Sequence, residues 1–394
     1  MKEGWEVKKL GEVCDLLTDG DWIESKDQSM NGIRLIQTGN IGNGVYKDKS
    51  DHAKYISEET FDRLNCTEIS EGDILISRLP DPIGRACILP KMECRMITAV
   101  DCSIIRVKEI MLSKFLVYYT LSRPYNKGIE KYITGAVRKR ISRTNLSKIS
   151  VPIPPLPEQS RIVEELDLLS NIIEKKRQQL SELDNLAQSI FYDMFGDPVT
   201  NEKGWEVKKL GEVCDVRDGT HDSPKYLEHS DYVLITSKNI VNGDIDYTSI
   251  NYISEEDYNN INKRSFVEDG DIIMAMIGTI GKPIIVKRKG VNFCIKNVAL
   301  IKFGKSVEVI NTYIQYLLDN TSYKQYIDKQ NKGGTQKFIA LGAIRKLDIP
   351  LPPLNLQQLF AQKIEAIEKQ KALIKQSIAE TEELFNSRMD YYFS

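Results

Sequence analysis

The sequence predicts an α+β fold in which two mixed α/β domains are separated by an antiparallel pair of long coiled-coil helices. Three observations predict it: an internal repeat spanning nearly all 394 residues, a long heptad run after each copy, and short β-rich segments within each copy. The repeat gives this fold a pseudo-twofold character. The predicted boundaries are 1–153 for the first domain, 154–196 for the first helix, 197–351 for the second domain and 352–394 for the second helix.

The repeat is clearest where each copy begins, because Gly4–Asp15 recurs letter for letter as Gly204–Asp215. Further segments match in the same order along the chain, such as Glu71–Ile76 with Asp269–Met274. A globular segment of about 150 residues followed by one helix is therefore used twice, and this repeat has to be found before any fold is assigned.

Each globular copy contains short β-branched runs bounded by Gly, Asn and Asp, which predict strands. Examples are Ile33–Ile36, Asp73–Ser77 and Cys102–Val107. Ser57, followed by two glutamates, predicts the cap of a short helix. Two further helices are predicted at Ser113–Leu121 and Asn311–Asp319.

The first long helix is predicted from Glu158 to Phe195, a run without proline or glycine that follows the proline-rich stop Pro152–Pro157. Its apolar residues recur at steps of four and three, which is a heptad seam that requires a partner helix. The predicted seam residues are Ile162, Leu166, Leu169, Ile173, Leu180 and Leu183. At 1.5 Å per residue such a helix is about 55 Å long, which is typical of a spacer.

The partner is predicted in the same chain, from Asn355 to Ser394, after a second proline stop at Pro350–Leu354. Its seam residues, which lie 198 residues after positions of the first ladder, are Phe360, Ile364, Ile367, Ile374 and Ile378. Lys176 and Lys371 occupy seam positions that are apolar in the other repeat, and they either fix the register or extend out to solvent. Two unrelated amphipathic helices would not share the proline stop and the spacing.

Composition excludes several classes of protein. With 41% hydrophobic and 28% charged residues, a net charge of −2 and no long apolar run, the chain is expected to be a cytoplasmic globular protein. The seven cysteines form no C-x-x-C pair and the three histidines lie outside metal-ligand spacing, so no metal site is expected. Phosphate-loop, nucleophile-elbow and methyltransferase motifs are absent, so we expect a chain that is not an enzyme and carries no cofactor.

Several motifs together resemble the specificity subunit of type I restriction–modification systems. They are the Trp-Glu-Val-Lys-Lys-Leu-Gly-Glu-Val opening, Glu71–Ile76, Gly219–His221, and the series Gly135, Ile141, Leu146, Ile149 and Ile153–Gln159 before the heptad helix. Each is weak alone, but they occur in order and cover the whole chain. The second copy departs from the family at Asn355–Gln357, where Pro-Glu-Gln is usual.

The resemblance implies a function for each part. Each globular copy would be a target recognition domain reading one half of a split sequence in double-stranded DNA, and the helices would be the spacer. Two methyltransferase subunits, which carry S-adenosylmethionine, would dock on this chain, and restriction/translocase subunits can join them. A non-catalytic coiled-coil scaffold with two protein-binding ends is the alternative. We also expect self-association of the isolated chain through its exposed docking surfaces.

Local positive charge before each helix supports DNA binding. Residues 128–148 hold six cations against one anion, and residues 326–346 hold five against one, in an otherwise slightly acidic chain. Solvated basic loops are the alternative. Phosphate contacts are expected from cations of this kind, and base contacts from forked or amide side chains on loops.

The candidate DNA-binding residues of the first copy are Asp21, Trp22, Asn40, Arg78, Arg85, Arg138, Lys139, Arg140 and Arg143. Those of the second copy are Thr220, His221, Lys238, Asn239, Gln336, Lys337 and Arg345. A structural role is the alternative for several of them, with Trp22 in the core and Asn40 and Asn239 as turn formers.

Overall fold

The computed structural model describes residues 4–241, 243–277, 282–304, 308–330 and 338–394. The chain divides into two compact units, one formed by Met1–Arg177 with Gln376–Ser394 and the other by Gln178–Lys375. Each unit therefore contains one globular copy of the repeat and part of both long helices. Within the described ranges, no helix combines the length and apolarity that crossing a bilayer requires.

Two four-stranded sheets form the globular part of the first unit. The first is antiparallel, in the order Cys14–Asp19, Cys102–Val107, Ile74–Ser77 and Ala86–Ile88. The second has the order Lys54–Ile56, Ile33–Ile36, Met96–Thr98 and Glu68–Ile69, with its two central strands parallel. The central strand Ile33–Ile36 is buried at every position, as expected for a strand covered on both faces. The three strands predicted in this copy are confirmed, one of them starting at Ile74.

The helices of this globular part lie at Glu58–Leu64, Ser113–Thr120, Arg123–Glu130 and Arg143–Leu146, with 3-10 turns at Leu10–Glu12, Ser25–Asp27, Thr38–Asn40 and Ser50–His52. The Ser57 hydroxyl accepts a hydrogen bond from the Thr60 amide at 3.1 Å, so the predicted cap is confirmed. The opening strand Glu6–Lys9 pairs antiparallel with Ser150–Ile153, which ties the start of the copy to its proline stop.

The second unit repeats this architecture in the same strand order. Its antiparallel sheet contains Asp215–Asp218, Val298–Lys302, Ile272–Ala275 and Ile284–Ile285, and a three-stranded sheet contains Asn251–Tyr252, Tyr232–Ile235 and Asn292–Ile295. Two further pairs join Glu206–Lys209 to Asp348–Leu351 and Ile240–Val241 to Asp244–Ile245. Its helices lie at Leu210–Val213, Glu255–Ser265, Asn311–Asp319, Thr321–Gln330 and Leu341–Arg345, with a 3-10 turn at Ser237–Asn239. The α+β prediction is therefore confirmed in both units.

The two long helices extend over Leu156–Phe195 and Leu354–Phe393, 40 residues each. In the first unit Glu165 pairs with Arg388 and Arg177 pairs with Glu382, so the second helix runs opposite to the first. The second unit shows the same direction, because Asp184 pairs with Lys371 while Phe191 contacts Phe360 with ring centroids 5.7 Å apart. The predicted antiparallel pairing is therefore confirmed within each unit.

The predicted seam is buried most deeply where the helices meet a globular core. The buried seam residues are Ile162, Leu166, Leu169, Ile173, Phe360, Ile364 and Ile367. The half-buried ones are Leu180, Leu183, Ile374 and Ile378. Ile162 and Leu166 belong to the core of the first unit, and Phe360, Ile364 and Ile367 to that of the second.

Both seam lysines contact the opposite helix. In the first unit Lys176 Nζ donates to Ser377 Oγ at 2.5 Å and to Thr381 Oγ1 at 3.2 Å. In the second unit Lys371 Nζ lies 2.7 Å from Asp184 Oδ1 and from Glu368 Oε1. Burial alone would lower the pKa of Lys371, but these two carboxylates outweigh it and raise that pKa. These contacts favour the register role over extension to solvent.

A buried glutamine fixes the start of each long helix. Gln159 Oε1 accepts from the Leu112 amide at 2.8 Å, and its Nε2 donates to the Ile110 and Pro154 carbonyls, each at 2.8 Å. Gln357 repeats this network with the Ile310 amide and with the Glu308 and Pro352 carbonyls, all at 2.9 Å. The departure of the second copy from the family pattern at 355–357 therefore leaves the connection between domain and helix intact.

Candidate nucleic-acid interface

In the first unit the predicted basic segment forms a narrow projecting loop. The backbones of Thr134 and Arg140 exchange two hydrogen bonds of 2.9 Å, which close the loop. Every residue from Thr134 to Arg140 is exposed. The guanidinium groups of Arg138 and Arg140 and the amine of Lys139 have no ion-pair partner among the described residues. Three unpaired cations on one projection form a site that attracts phosphate.

The base of this loop is fixed by the protein core. Ile141 is fully buried and its amide donates to the Arg78 carbonyl at 3.2 Å. Ser142 then caps the short helix Arg143–Leu146 by accepting from the Asn145 amide at 3.1 Å. The loop therefore projects from a rigid support, which lowers the entropy that binding would have to remove.

The basic segment lies against the turn that follows strand Cys14–Asp19. Arg143 Nη1 donates to Thr18 Oγ1 at 3.4 Å, and Arg78 Nε lies 3.4 Å from Asp19 Oδ1. Gly20 follows Asp19, and a Cβ there would lie 2.4 Å from the Thr98 carbonyl oxygen, so this close approach requires glycine. The structure thus brings the predicted residues Arg78 and Arg143 together with the Asp-Gly turn.

The second unit places an equivalent turn at Asp218-Gly219. A Cβ on Gly219 would lie 2.2 Å from the Ile295 carbonyl oxygen. Arg345 donates through Nε and Nη2 to the Val216 carbonyl, at 3.0 and 2.7 Å, and so links the second basic segment to this strand. The predicted residues Gln336 and Lys337 lie outside the described residues.

Trp22 and His221 occupy matching places after these turns. Trp22 is 68% exposed, which excludes a core role, and its Nε1 donates to Glu24 at 3.3 Å. His221 places Nδ1 at 2.8 Å from Asn297 Oδ1 and Nε2 at 2.9 Å from Asp218 Oδ2. The two turns therefore present unlike side chains on the same framework, as expected of domains that recognise different targets.

A polar cavity of about 450 Å³ adjoins the second of these turns. Thr220, Asp222 and Arg264 are among its lining residues. Thr220 Oγ1 accepts from the Asp222 amide at 3.1 Å, and Arg264 pairs with Asp218. Hydrogen-bond donors and acceptors both face this cavity, so it can accommodate polar groups of either kind.

Asn40 and Asn239 have a structural role, so we no longer expect them to contact DNA. Both are buried. The side-chain amide of Asn40 accepts a hydrogen bond from the Gln37 backbone amide through Oδ1 and donates one to the Lys47 carbonyl through Nδ2, both at 3.0 Å. Asn239 accepts from Thr236 and donates to the Asp246 and Ser249 carbonyls in the same way. These side-chain amides close turns, as the alternative interpretation held.

Arg78 and Arg85 also serve the fold rather than a free surface. Arg78 is buried and donates to the Val100 carbonyl at 2.5 Å. Arg85 donates to four backbone carbonyls, and burial lowers the pKa of its guanidinium. The four acceptors, at 2.7 to 2.9 Å, are the carbonyls of Thr38, Ile41, Leu79 and Pro82. The Arg85 guanidinium is engaged by backbone carbonyls and the Arg78 guanidinium is buried, which favours a structural role over base contact for both.

The other predicted residues fall between these cases. Asp21 is half-buried and accepts from the Thr67 amide at 2.9 Å, and burial raises the pKa of its carboxyl group. Lys238 is exposed next to the buried Asn239. Contact with DNA stays a prediction for Lys238, Thr220, His221, Trp22 and the cations of the basic segments.

Sequence analysis missed Val137, which is fully exposed at the tip of the basic loop. The signal was present, because an apolar residue stands between Gly135 and the three consecutive cations. It also missed Arg264 and Asn297, which contact the Asp218–His221 pair. No sequence pattern links these residues, because the sheet and the helix Glu255–Ser265 bring them together only on folding.

Comparison with known proteins places the chain in a family. The family model described as type I restriction modification DNA specificity domain matches residues 2–185 and again residues 202–383. The putative type I restriction enzyme MjaX specificity subunit of Methanocaldococcus jannaschii is 23% identical over 390 residues, covering 93% of this chain and 87% of that protein. The EcoKI specificity subunit of Escherichia coli K12 is 23% identical over 403 residues, covering 93% and 82%.

Solved structures show the same fold. A chain from a structural study of complex assembly and conformational transition in a type I R-M system has a TM-score of 0.57 at 18% identity, covering 100% of this chain and 98% of that one. The S subunit of a type I restriction-modification system from M. genitalium has a TM-score of 0.55 at 13% identity, covering 99% and 96%. Because the family model matches most of the sequence twice, the chain belongs to the family of type I restriction modification DNA specificity domains and carries two copies of that domain.

Proposed function

We propose that this chain is the DNA sequence-recognition subunit of a type I restriction–modification complex, with one domain for each half of a bipartite target. The observation that carries the proposal is the twofold occurrence of the family domain, at residues 2–185 and 202–383. The two copies share a framework but differ in the side chains after the Asp-Gly turn, Trp22 and His221. Unlike side chains on one framework are what a split, non-palindromic target requires.

Affinity for DNA comes from the exposed cations before each long helix. In the first unit Arg138, Lys139 and Arg140 lie on one loop without ion-pair partners in the described part of the chain. In the second unit Arg345 and Lys346 are exposed near the matching strand. Such contacts set the position of the protein on the duplex and make binding depend on salt.

The long helices carry the docking surface for methyltransferase subunits. Leu168 and Leu384 in the first unit, and Leu186 and Leu373 in the second, are exposed leucines on helices whose other apolar face is already paired. Burial of their apolar surface by a partner protein would be favourable. Leu186 and Leu384 are 198 residues apart and hence equivalent in the repeat, so two methyltransferase subunits are proposed, one for each unit.

The chemistry belongs to those partners. Within the described residues, no group of three His, Cys, Asp or Glu side chains is arranged to hold a metal ion. The proposed division of labour is that the methyltransferase subunits bind S-adenosylmethionine and modify the DNA, whereas this chain selects the sequence. Restriction/translocase subunits join the same assembly.

The test is the salt dependence of DNA binding by the chain reconstituted with its methyltransferase subunits. Replacing Arg138 and Lys139 by alanine removes two phosphate contacts, so the slope of log K against log salt concentration should become shallower by about 2. Binding should weaken equally for target and non-target DNA. Replacement of Lys54 and Lys91, two exposed lysines of the same domain outside the basic segment, should leave the slope unchanged.

Two outcomes would contradict the proposal, one for DNA recognition and one for the basic loop. If the complex binds no DNA in a sequence-dependent way, the chain is instead a coiled-coil scaffold with two protein-binding ends. If it binds a bipartite target but the double variant keeps the full salt slope, recognition stands and the basic loop is removed from the interface.

A further inference from the structure

Val137 stands out among the exposed apolar residues because of its setting. A single exposed valine on a surface is ordinary. This one lies at the tip of the closed loop Thr134–Arg140, is fully exposed, and precedes three cations without ion-pair partners among the described residues. The charge around it is complementary to DNA, so the partner suggested for this tip is a nucleic acid.

The loop is closed at its base by a single antiparallel residue pair, so its width there is that of two neighbouring strands. Thr134 and Arg140 form a hydrogen-bonded antiparallel pair, whose Cα atoms are typically about 5.5 Å apart. Gly135 has a φ of +99°, and a Cβ there would lie 2.4 Å from the Arg138 carbonyl oxygen, so the turn is tight and requires glycine. A ribbon with side chains fits the major groove, about 12 Å wide, but is too broad for the minor groove of about 6 Å.

The chemistry of the tip selects one feature of the major groove. A valine side chain neither donates nor accepts a hydrogen bond, so it distinguishes bases only by apolar contact. The apolar group that the major groove displays is the 5-methyl group of thymine. We propose that the loop Thr134–Arg140 enters the major groove of one half-site and that Val137 recognises a thymine there by its methyl group. This inference rests on the proposed function and names a specificity-determining residue within it.

The neighbouring residues orient the tip. Arg138, Lys139 and Arg140 contact the phosphates on the sides of the groove, which fixes the depth of the loop without reading sequence. The fully buried Ile141 and the Arg78 carbonyl that accepts its amide hold the base of the loop in place. Val137 is therefore presented at a defined position, as discrimination between bases requires.

The test uses the full complex with its methyltransferase subunits and its own target, identified by sequencing methylated adenines. Each thymine of both half-sites is replaced in turn by deoxyuracil, which removes only the 5-methyl group. We expect one position at which the wild-type complex loses affinity about fourfold, the equivalent of one buried methyl group. For Val137→Ala, which keeps only the β-methyl group, the difference in binding between thymine-containing and uracil-containing DNA should shrink at that position.

Val45→Ala is the matched control, because Val45 is a largely exposed valine of the same domain outside the basic loop. It should keep the full sensitivity to uracil. The inference is overturned if no thymine is sensitive to the replacement, or if Val137→Ala keeps the full sensitivity. It is also overturned if Val137→Ala weakens all DNA equally, or weakens assembly with the methyltransferase subunits while leaving the uracil effect unchanged. Absence of any sequence-dependent binding would instead contradict the proposed function.

Discussion

Two residues after the Asp19-Gly20 turn the first unit has the largely exposed Trp22, whereas two residues after Asp218-Gly219 the second unit has His221, whose ring lies between two polar side chains. The strands around these turns pair in the same order in both units. The two copies therefore share the framework that places the turn and differ in the side chain that the turn presents. The shared strands are therefore assigned to the framework, and the differing residues Trp22 and His221 are the candidates for recognition.

Substitutions in the shared framework should lower the stability of the two units strongly and by equal amounts. Gln159→Leu removes the partner of a part-buried amide and of two carbonyls, one of them in a fully buried hydrogen bond, so we expect a loss of about 3 kcal/mol in the stability of the first unit. Gln357→Leu should cost about the same in the second unit, because its network is identical. Hydrogen exchange followed by mass spectrometry, which resolves the two units, checks both values.

The control for that pair is Gln179→Leu, since Gln179 is exposed on the first long helix. It should leave both units within about 0.5 kcal/mol of the wild type. If Gln159→Leu lowered the stability of the first unit while Gln357→Leu left that of the second unit unchanged, the two networks would have the same geometry but contribute differently to stability.

Substitutions of the differing side chains should weaken DNA binding through one half-site only. Trp22→Ala should weaken specific binding about tenfold, or about 1.4 kcal/mol, through the half-site of the first domain only. His221→Ala should act in the same way through the other half-site. Competition between targets altered in one half-site or the other measures this, with Met30→Ala as the control for an exposed apolar residue. If both variants weakened both half-sites equally, the domains would not act as independent readers.

Sequence reasoning succeeded where a pattern has one physical solution. Heptad spacing without proline or glycine leaves an apolar stripe that only another helix can cover, so the long antiparallel helices were predictable. It did not succeed for individual recognition residues. In the sequence Arg85 is a candidate for base contact, but in the folded chain its guanidinium donates hydrogen bonds to the carbonyls of Thr38 and Pro82. Which polar side chain is used internally depends on contacts between distant segments.

The smallest difference between the two units lies in the polar contacts between their long helices. In the first unit Glu165 forms hydrogen bonds with Arg388 and Tyr392. The equivalent positions of the second unit, 198 residues away, are Lys363, Ile190 and Met194. The first unit therefore depends on an ionised carboxylate at a place where the second has no acidic group.

This difference predicts a pH dependence for the first unit alone. Arg388 lowers the pKa of Glu165 and outweighs partial burial, which raises it. Because the folded-state pKa is depressed, the contribution of Glu165 is complete above its unfolded pKa of about 4.3 and is lost as the pH falls through the folded value. Glu165→Gln should cost about 1 kcal/mol at pH 7 and flatten the loss of stability below pH 4.3, whereas the exposed neighbour Glu164→Gln should do neither. Hydrogen exchange in the two units at pH 6 and pH 4 measures the effect, and an equal acid response in both units would locate the sensitivity elsewhere.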